Sequence, residues 1–140
     1  PFELEALRAA GKIAAECDRR GLSYVCEIMP IESKMFPDPA APDAIAAACR
    51  TGAELGAHVI KTTMPNPSTE IAQSVGCGLP IILAGGSFAN DRSKLMKEVE
   101  TAIACGAAGV AFGRNVWGTR EPGTVVGDLL RIVHGERKVA

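Results

Sequence analysis

Apolar positions along the chain follow two periodicities in turn. Four short segments rich in apolar and β-branched residues recur at Ser23–Met29, His58–Thr63, Pro80–Ala84 and Gly109–Gly113, spaced like the strands of successive βα units. They are apolar almost throughout rather than alternating, which predicts parallel strands covered on both faces. Between them the spacing becomes helical. Phe2–Arg20 sets Leu4, Leu7, Ala10, Ile13, Ala14 and Cys17 on one stripe, and Gly21 stops it. Asp43 opens a helix over Ala44–Leu55 that Gly56 closes, and Ser68 caps a short one ending near Gly76. Asp91 caps Arg92–Cys105, whose Leu95, Met96, Val99, Ala102 and Ile103 turn inward before Gly106. A last helix over Thr124–His134 is expected to bury Val125, Val126, Leu129, Leu130 and Val133. A leading helix (residues 1–21) and four βα units (22–140) make one α/β domain. Two architectures fit: half of an eight-stranded βα barrel, or most of an open doubly wound sheet.

Both architectures collect chemistry at the C-terminal ends of the strands. Lys61 stands there, in a segment that should be a buried strand. An ammonium is costly to remove from water, so a buried lysine tends to lose its proton and become a nucleophile for carbonyl groups. The alternative is a strand-end lysine with its head in solvent. Val25, Glu27 and Met29 share one face of the preceding strand, which brings Glu27 within reach of Lys61. Glu27 there either moves protons during the reaction or neutralises the lysine as an ion pair. Two further loops suit an anion. In Ala84-Gly85-Gly86-Ser87, paired glycines allow backbone N–H groups close approach and Ser87 adds a hydroxyl. In Gly113-Arg114-Asn115, Arg114 offers a bidentate contact to phosphate oxygens. Tight turns and a solvated arginine are the plainer explanation of both. The Met29–Lys34 loop is a candidate for specificity.

Composition narrows the class. The chain has 140 residues, net charge −1 and 47% apolar residues, enough for one domain and too few for two. Near-neutral charge argues against a nucleic-acid or membrane-surface partner. No apolar run approaches a membrane span, and no signal peptide is visible. Cys17, Cys26, Cys49, Cys77 and Cys105 lack metal or redox spacing, which predicts small apolar fillers in a reducing, cytoplasmic setting with no metal or cofactor. His58 should point toward a helix and His134 lie on the last one, both structural; Trp117 should pack under the rim of the sheet.

The run Gly52-Ala53-Glu54-Leu55-Gly56-Ala57-His58-Val59-Ile60-Lys61-Thr62 resembles the strand-six signature of class I aldolases of the archaeal-type fructose-bisphosphate aldolase group. Tagatose-bisphosphate aldolase, sulfofructose-phosphate aldolase and the autoinducer-2 thiolase belong to the same superfamily. The likeness continues through Pro80–Ser87, Ala104–Trp117 and Ile132–His134. It implies strands 5–8, the C-terminal half, of a (β/α)8 TIM barrel. It also implies that Lys61 forms a Schiff base with a phosphorylated ketose or dihydroxyacetone phosphate during reversible C–C cleavage. Gly85, Gly86, Ser87, Gly113 and Arg114 would hold the phosphate.

Two departures qualify the likeness. Met29-Pro30 stands where the archaeal-type enzymes carry a tyrosine general acid before proline, which leaves Glu27 as the nearest proton-transfer group. Strands one to four, with their aspartate, are also missing. Four strands cannot close a barrel. The expectation is therefore a longer natural product, which the absence of an initiator methionine before Pro1 also suggests, or a homo-oligomer of paired halves. A flattened, flavodoxin-like sheet is the third option. A non-catalytic phosphate-sugar-binding module, or an assembly partner, is the rival to an enzyme.

Overall fold

The computed structural model describes residues 2–66, 78–89 and 91–135. In chain order these form α1 (Phe2–Arg20), β1 (Val25–Glu27), α2 (Pro42–Glu54), β2 (Val59–Thr62), β3 (Ile81–Ala84), α3 (Arg92–Ala104), β4 (Gly109–Ala111), α4 (Arg114–Trp117) and α5 (Pro122–His134). The expected helix over Ser68–Gly76, and Cys77, lie outside the described residues. All four strands run parallel in the order β1-β2-β3-β4. Each strand lies beside its predecessor, and α2 and α3 pack on the same face of the sheet. The order contains no reversal, so the doubly wound and flavodoxin-like alternatives are set aside.

Burial follows from that topology. Cys26, Ile60, Thr62, Ile81 and Leu83 point at the helices and are buried. With Ile45, Cys49 and Ala102 the apolar members of this row form the main core, and Val99, Val125 and Leu129 form a second cluster. Val25, Glu27, Val59, Lys61, Ile82 and Ala84 alternate onto the opposite face. Coverage of both faces was expected; among the described residues one face is bare, and Val25 and Glu27 are exposed on it. Gly52 lets α2 approach β2, since a Cβ there would sit 2.7 Å from Ile60 Cδ1.

Helix ends differ from expectation where proline intervenes. α2 starts at Pro42 and α5 at Pro122, because a proline ring presets the first-turn φ and has no N–H to orphan. Asp43 therefore lies inside the first turn of α2 and accepts from Ala44 N at 2.9 Å instead of capping the helix. Asp91 does cap α3, accepting from Lys94 N at 3.0 Å. The stripes are narrower than read. Leu4 and Ile13 of α1, and Val126 and Leu130 of α5, are exposed, because one contact line admits only Ala14 on α1 and Val125 and Leu129 on α5 as fully buried residues. Among the described residues no helix is long and apolar enough to cross a membrane.

Candidate active site

Residues 27, 61, 85–87 and 113–115 all stand at or just beyond the C-terminal ends of their strands. Glu27 and Lys61 are direct register partners on β1 and β2. Partners in a parallel pair project to the same side, so the two side chains meet: Lys61 Nζ lies 3.0 Å from Glu27 Oε2. The ladder continues past them with Ile28 N donating to Lys61 O at 3.0 Å, which fixes the lysine backbone. The Lys61 side chain is 23% exposed and that of Glu27 53%. The pair therefore lies on the bare sheet face rather than in the enclosed, dry site expected of a buried strand. As an open ion pair it contributes at most about 1 kcal/mol to stability, so stability is a weak reason for its presence.

The glycine loop leaves β3 at Ala84. Gly85 meets β4 so closely that a Cβ there would stand 3.0 Å from Phe112 Cδ1 and 3.3 Å from Phe112 Cα. Gly86 has φ 59°, the left-handed region that glycine enters without steric cost. Arg114 Nη2 donates to Gly86 O at 2.9 Å, so the arginine holds the loop and keeps its other N–H donors. Asn115, which sequence reasoning gave no role, is 3% exposed. Its Nδ2 donates to Gly85 O at 2.5 Å and Ser87 O at 3.1 Å, and its Oδ1 accepts from Ala89 N at 2.7 Å. Its position immediately after Arg114 was the available signal. The loop lines a cavity of about 460 Å³ shared with Lys94, Lys97 and Phe112, whose described walls include neither Lys61 nor Glu27.

Three neighbours of the site differ in character. Trp117 was expected to pack beneath the sheet rim; it is 70% exposed, because the short helix α4 turns it outward, and its Nε1 would lie 3.2 Å from a Cβ at Gly113. Met29 is also exposed. His58 points away from Lys61: its Nδ1 accepts from Tyr24 N at 3.0 Å and its Nε2 faces Asp18 Oδ1 at 3.3 Å, joining β1 to α1. Among the described residues no group of three or more His, Cys, Asp or Glu could hold a metal ion. Cys26 and Cys49 are buried and Cys17 and Cys105 half-buried.

A lysine and a carboxylate thus meet at adjacent strand ends, with a glycine loop on the next strand, in a parallel α/β protein. The chain belongs to the DeoC/LacD family of aldolases, whose model matches residues 3–119. It is 35% identical over 136 residues to 2-amino-3,7-dideoxy-D-threo-hept-6-ulosonate synthase 1 of Archaeoglobus fulgidus, covering 95% of this chain and 48% of that protein. It is 36% identical over 100 residues to the class 1 fructose-bisphosphate aldolase of Halobacterium salinarum, covering 70% and 38%. The fold superposes with a TM-score of 0.84, at 26% identity, on an archaeal fructose-1,6-bisphosphate aldolase whose catalytic lysine is bound to the carbinolamine intermediate. That match covers 96% of this chain and 54% of the other. The chain thus spans about half the length of the curated relatives it matches. The parallel α/β arrangement is also that of a Schiff-base-forming fructose-1,6-bisphosphate aldolase, at a TM-score of 0.82 and 29% identity over 95% of this chain and 54% of the other.

Proposed function

We infer that residues 1–140 are a single unit, the C-terminal half of a (β/α)8 barrel, and carry the Schiff-base half of a class I aldolase site. The leading helix (1–21) precedes four βα units (22–140) that correspond to strands 5–8. The bare sheet face is then the barrel interior. It is completed either by four further units of the natural polypeptide or by a second copy in a homo-oligomer.

In this reading Lys61 is the nucleophile. Its amine adds to the ketone carbon of a phosphorylated ketose, or of dihydroxyacetone phosphate in the condensing direction, and the carbonyl oxygen leaves as water. In cleavage the β-hydroxyl gives up its proton, the bond between the α- and β-carbons breaks to release an aldehyde, and the iminium takes up the electron pair as an enamine. Glu27, 3.0 Å from the amine, takes and returns the protons of carbinolamine formation and loss. Methionine at position 29 has no proton to give, which puts that duty on the carboxylate. Gly85, Gly86, Ser87, Gly113 and Arg114 bind the phosphate.

Lys61 lies in register with Ile82, three residues before Gly85. A rise of about 3.3 Å per residue and a strand spacing of about 4.8 Å place the two α-carbons roughly 11 Å apart. An extended lysine and a three-carbon phosphate ester together span that gap.

The observation that carries the proposal is the Lys61–Glu27 contact at adjacent strand ends, beside a glycine loop pinned by Arg114. Borohydride with dihydroxyacetone phosphate should leave a stable adduct on Lys61, located by peptide mass analysis and absent from Lys61→Ala. An unmodified Lys61 under saturating ligand would refute the reading.

A further inference from the structure

All three carbonyl oxygens of the Gly85-Gly86-Ser87 loop are held by the first two residues of α4. Asn115 takes those of Gly85 and Ser87, and Arg114 takes that of Gly86. Asn115 also anchors the far end of the loop through Ala89 N, so one buried amide spans the loop from its first residue to its exit. A carboxamide offers two donors and one acceptor oxygen; both kinds of group are used here. Its burial shields these bonds from competing water, and losing one partner would leave polar atoms unpaired in a dry place.

Carbonyl oxygens repel an anion and amide N–H groups attract it. In a planar trans peptide the two point in opposite directions. Engaging each carbonyl with Arg114 or Asn115 therefore keeps it from facing an anion and leaves the next amide in the chain, of Gly86, Ser87 and Phe88 in order, free to do so. Gly86, with φ 59°, lets the chain make the turn, and a Cβ there would meet nothing within 4 Å.

We propose that Asn115 is a positioning residue for ligand phosphate: it touches no ligand, and it fixes the loop so that the amides of Gly86, Ser87 and Phe88 converge on the anion. The proposal rests on the Schiff-base reading of Lys61 and assigns the selectivity for phosphorylated over plain ketones to a buried side chain outside the anion's contact set.

The test uses the natural polypeptide carrying residues 1–140, with two ketones that differ only in the phosphate group. Borohydride trapping on Lys61 is titrated with dihydroxyacetone phosphate and with dihydroxyacetone in wild type, Asn115→Leu and Asn115→Asp. Leucine removes every polar contact at similar volume. Aspartate keeps the acceptor for Ala89 N and sets an oxygen against the Gly85 and Ser87 carbonyls. Both variants should raise the half-saturating concentration of the phosphorylated ketone at least ~10-fold, the equivalent of losing one or two buried hydrogen bonds. Trapping by dihydroxyacetone should stay within about twofold, since that ketone makes no use of the loop.

Unchanged titration with the phosphorylated ketone overturns the proposal. So does an equal loss with both ketones, which would make Asn115 a general structural residue. Should Asn115→Leu fail to fold, Asn115→Asp alone decides by the same ratio. A wild-type protein that traps neither ketone refutes the Schiff-base reading, and one that traps both with equal concentration dependence refutes the phosphate loop.

Discussion

Replacing Thr62 by valine would remove a fully buried hydroxyl that has no hydrogen-bond partner among the described residues and put a methyl group in its place. Thr62 is the last residue of β2, faces the helices, and is registered with Leu83. The ladder bonds involve only its backbone and survive the change, and both side chains are β-branched, so the rotamer preference is largely kept. Leaving a buried hydroxyl unpaired costs about 1–3 kcal/mol. Valine should therefore stabilise the fold by about 1–2 kcal/mol. With a urea slope of roughly 1–3 kcal/mol/M, the unfolding midpoint should rise by about 0.3–2 M at unchanged slope. Urea titration followed by circular dichroism measures it. A lower or unmoved midpoint at the same slope would mean that the hydroxyl is satisfied, and the packing described around β2 would be wrong. Lys61 projects to the other side of the sheet, so trapping at Lys61 should not follow the stability change.

Gly85→Ala should cost about 1–3 kcal/mol. The added carbon would stand 3.0 Å from Phe112 Cδ1 and 3.3 Å from Phe112 Cα, inside ordinary van der Waals contact, so the loop or the ring must give by a few tenths of an ångström. A wild-type urea midpoint together with wild-type trapping by dihydroxyacetone phosphate would refute this. The Tyr24 phenol is pushed up to about 12 by burial and by its hydrogen bond with the Cys26 thiol. Between its ordinary value near 10 and about 12, the unfolded chain releases that proton while the folded chain holds it. Stability from this group is therefore complete below pH ~10 and is lost as pH rises toward 12. Tyr24→Phe should flatten that part of the alkaline unfolding profile, and an identical profile would exclude the effect.

Much of the candidate site was legible because strand alternation is a strict period of two. It places Glu27 and Lys61 on one side of their strands, and sequential pairing then makes them neighbours. The glycines after β3 and the Gly-Arg pair after β4 announced themselves by composition. Other features were not readable in that way. The Asn115 clamp joins residues 26 to 30 positions apart, a relation that no local period encodes. α4 has four residues, barely more than one turn, too short for any stripe to emerge. The bare sheet face was misread because an apolar run tells that a strand is suited to burial, not whether a layer is present to bury it. Pro42 and Pro122 were in view, yet the nearby Asp43 and Thr124 drew the helix starts inward.

The β1-β2-β3-β4 order also bears on how the molecule comes into being. Registered partners such as Val25 and Val59, Ile60 and Ile81, and Ile82 and Gly109 are separated only by the intervening stretch of chain. Among the four described strands none must wait for a distant one, so loop-closure entropy between them stays small and each of β2 to β4 finds its template already laid down as it emerges from the ribosome. Assembly can proceed vectorially, with β4 as the growing edge.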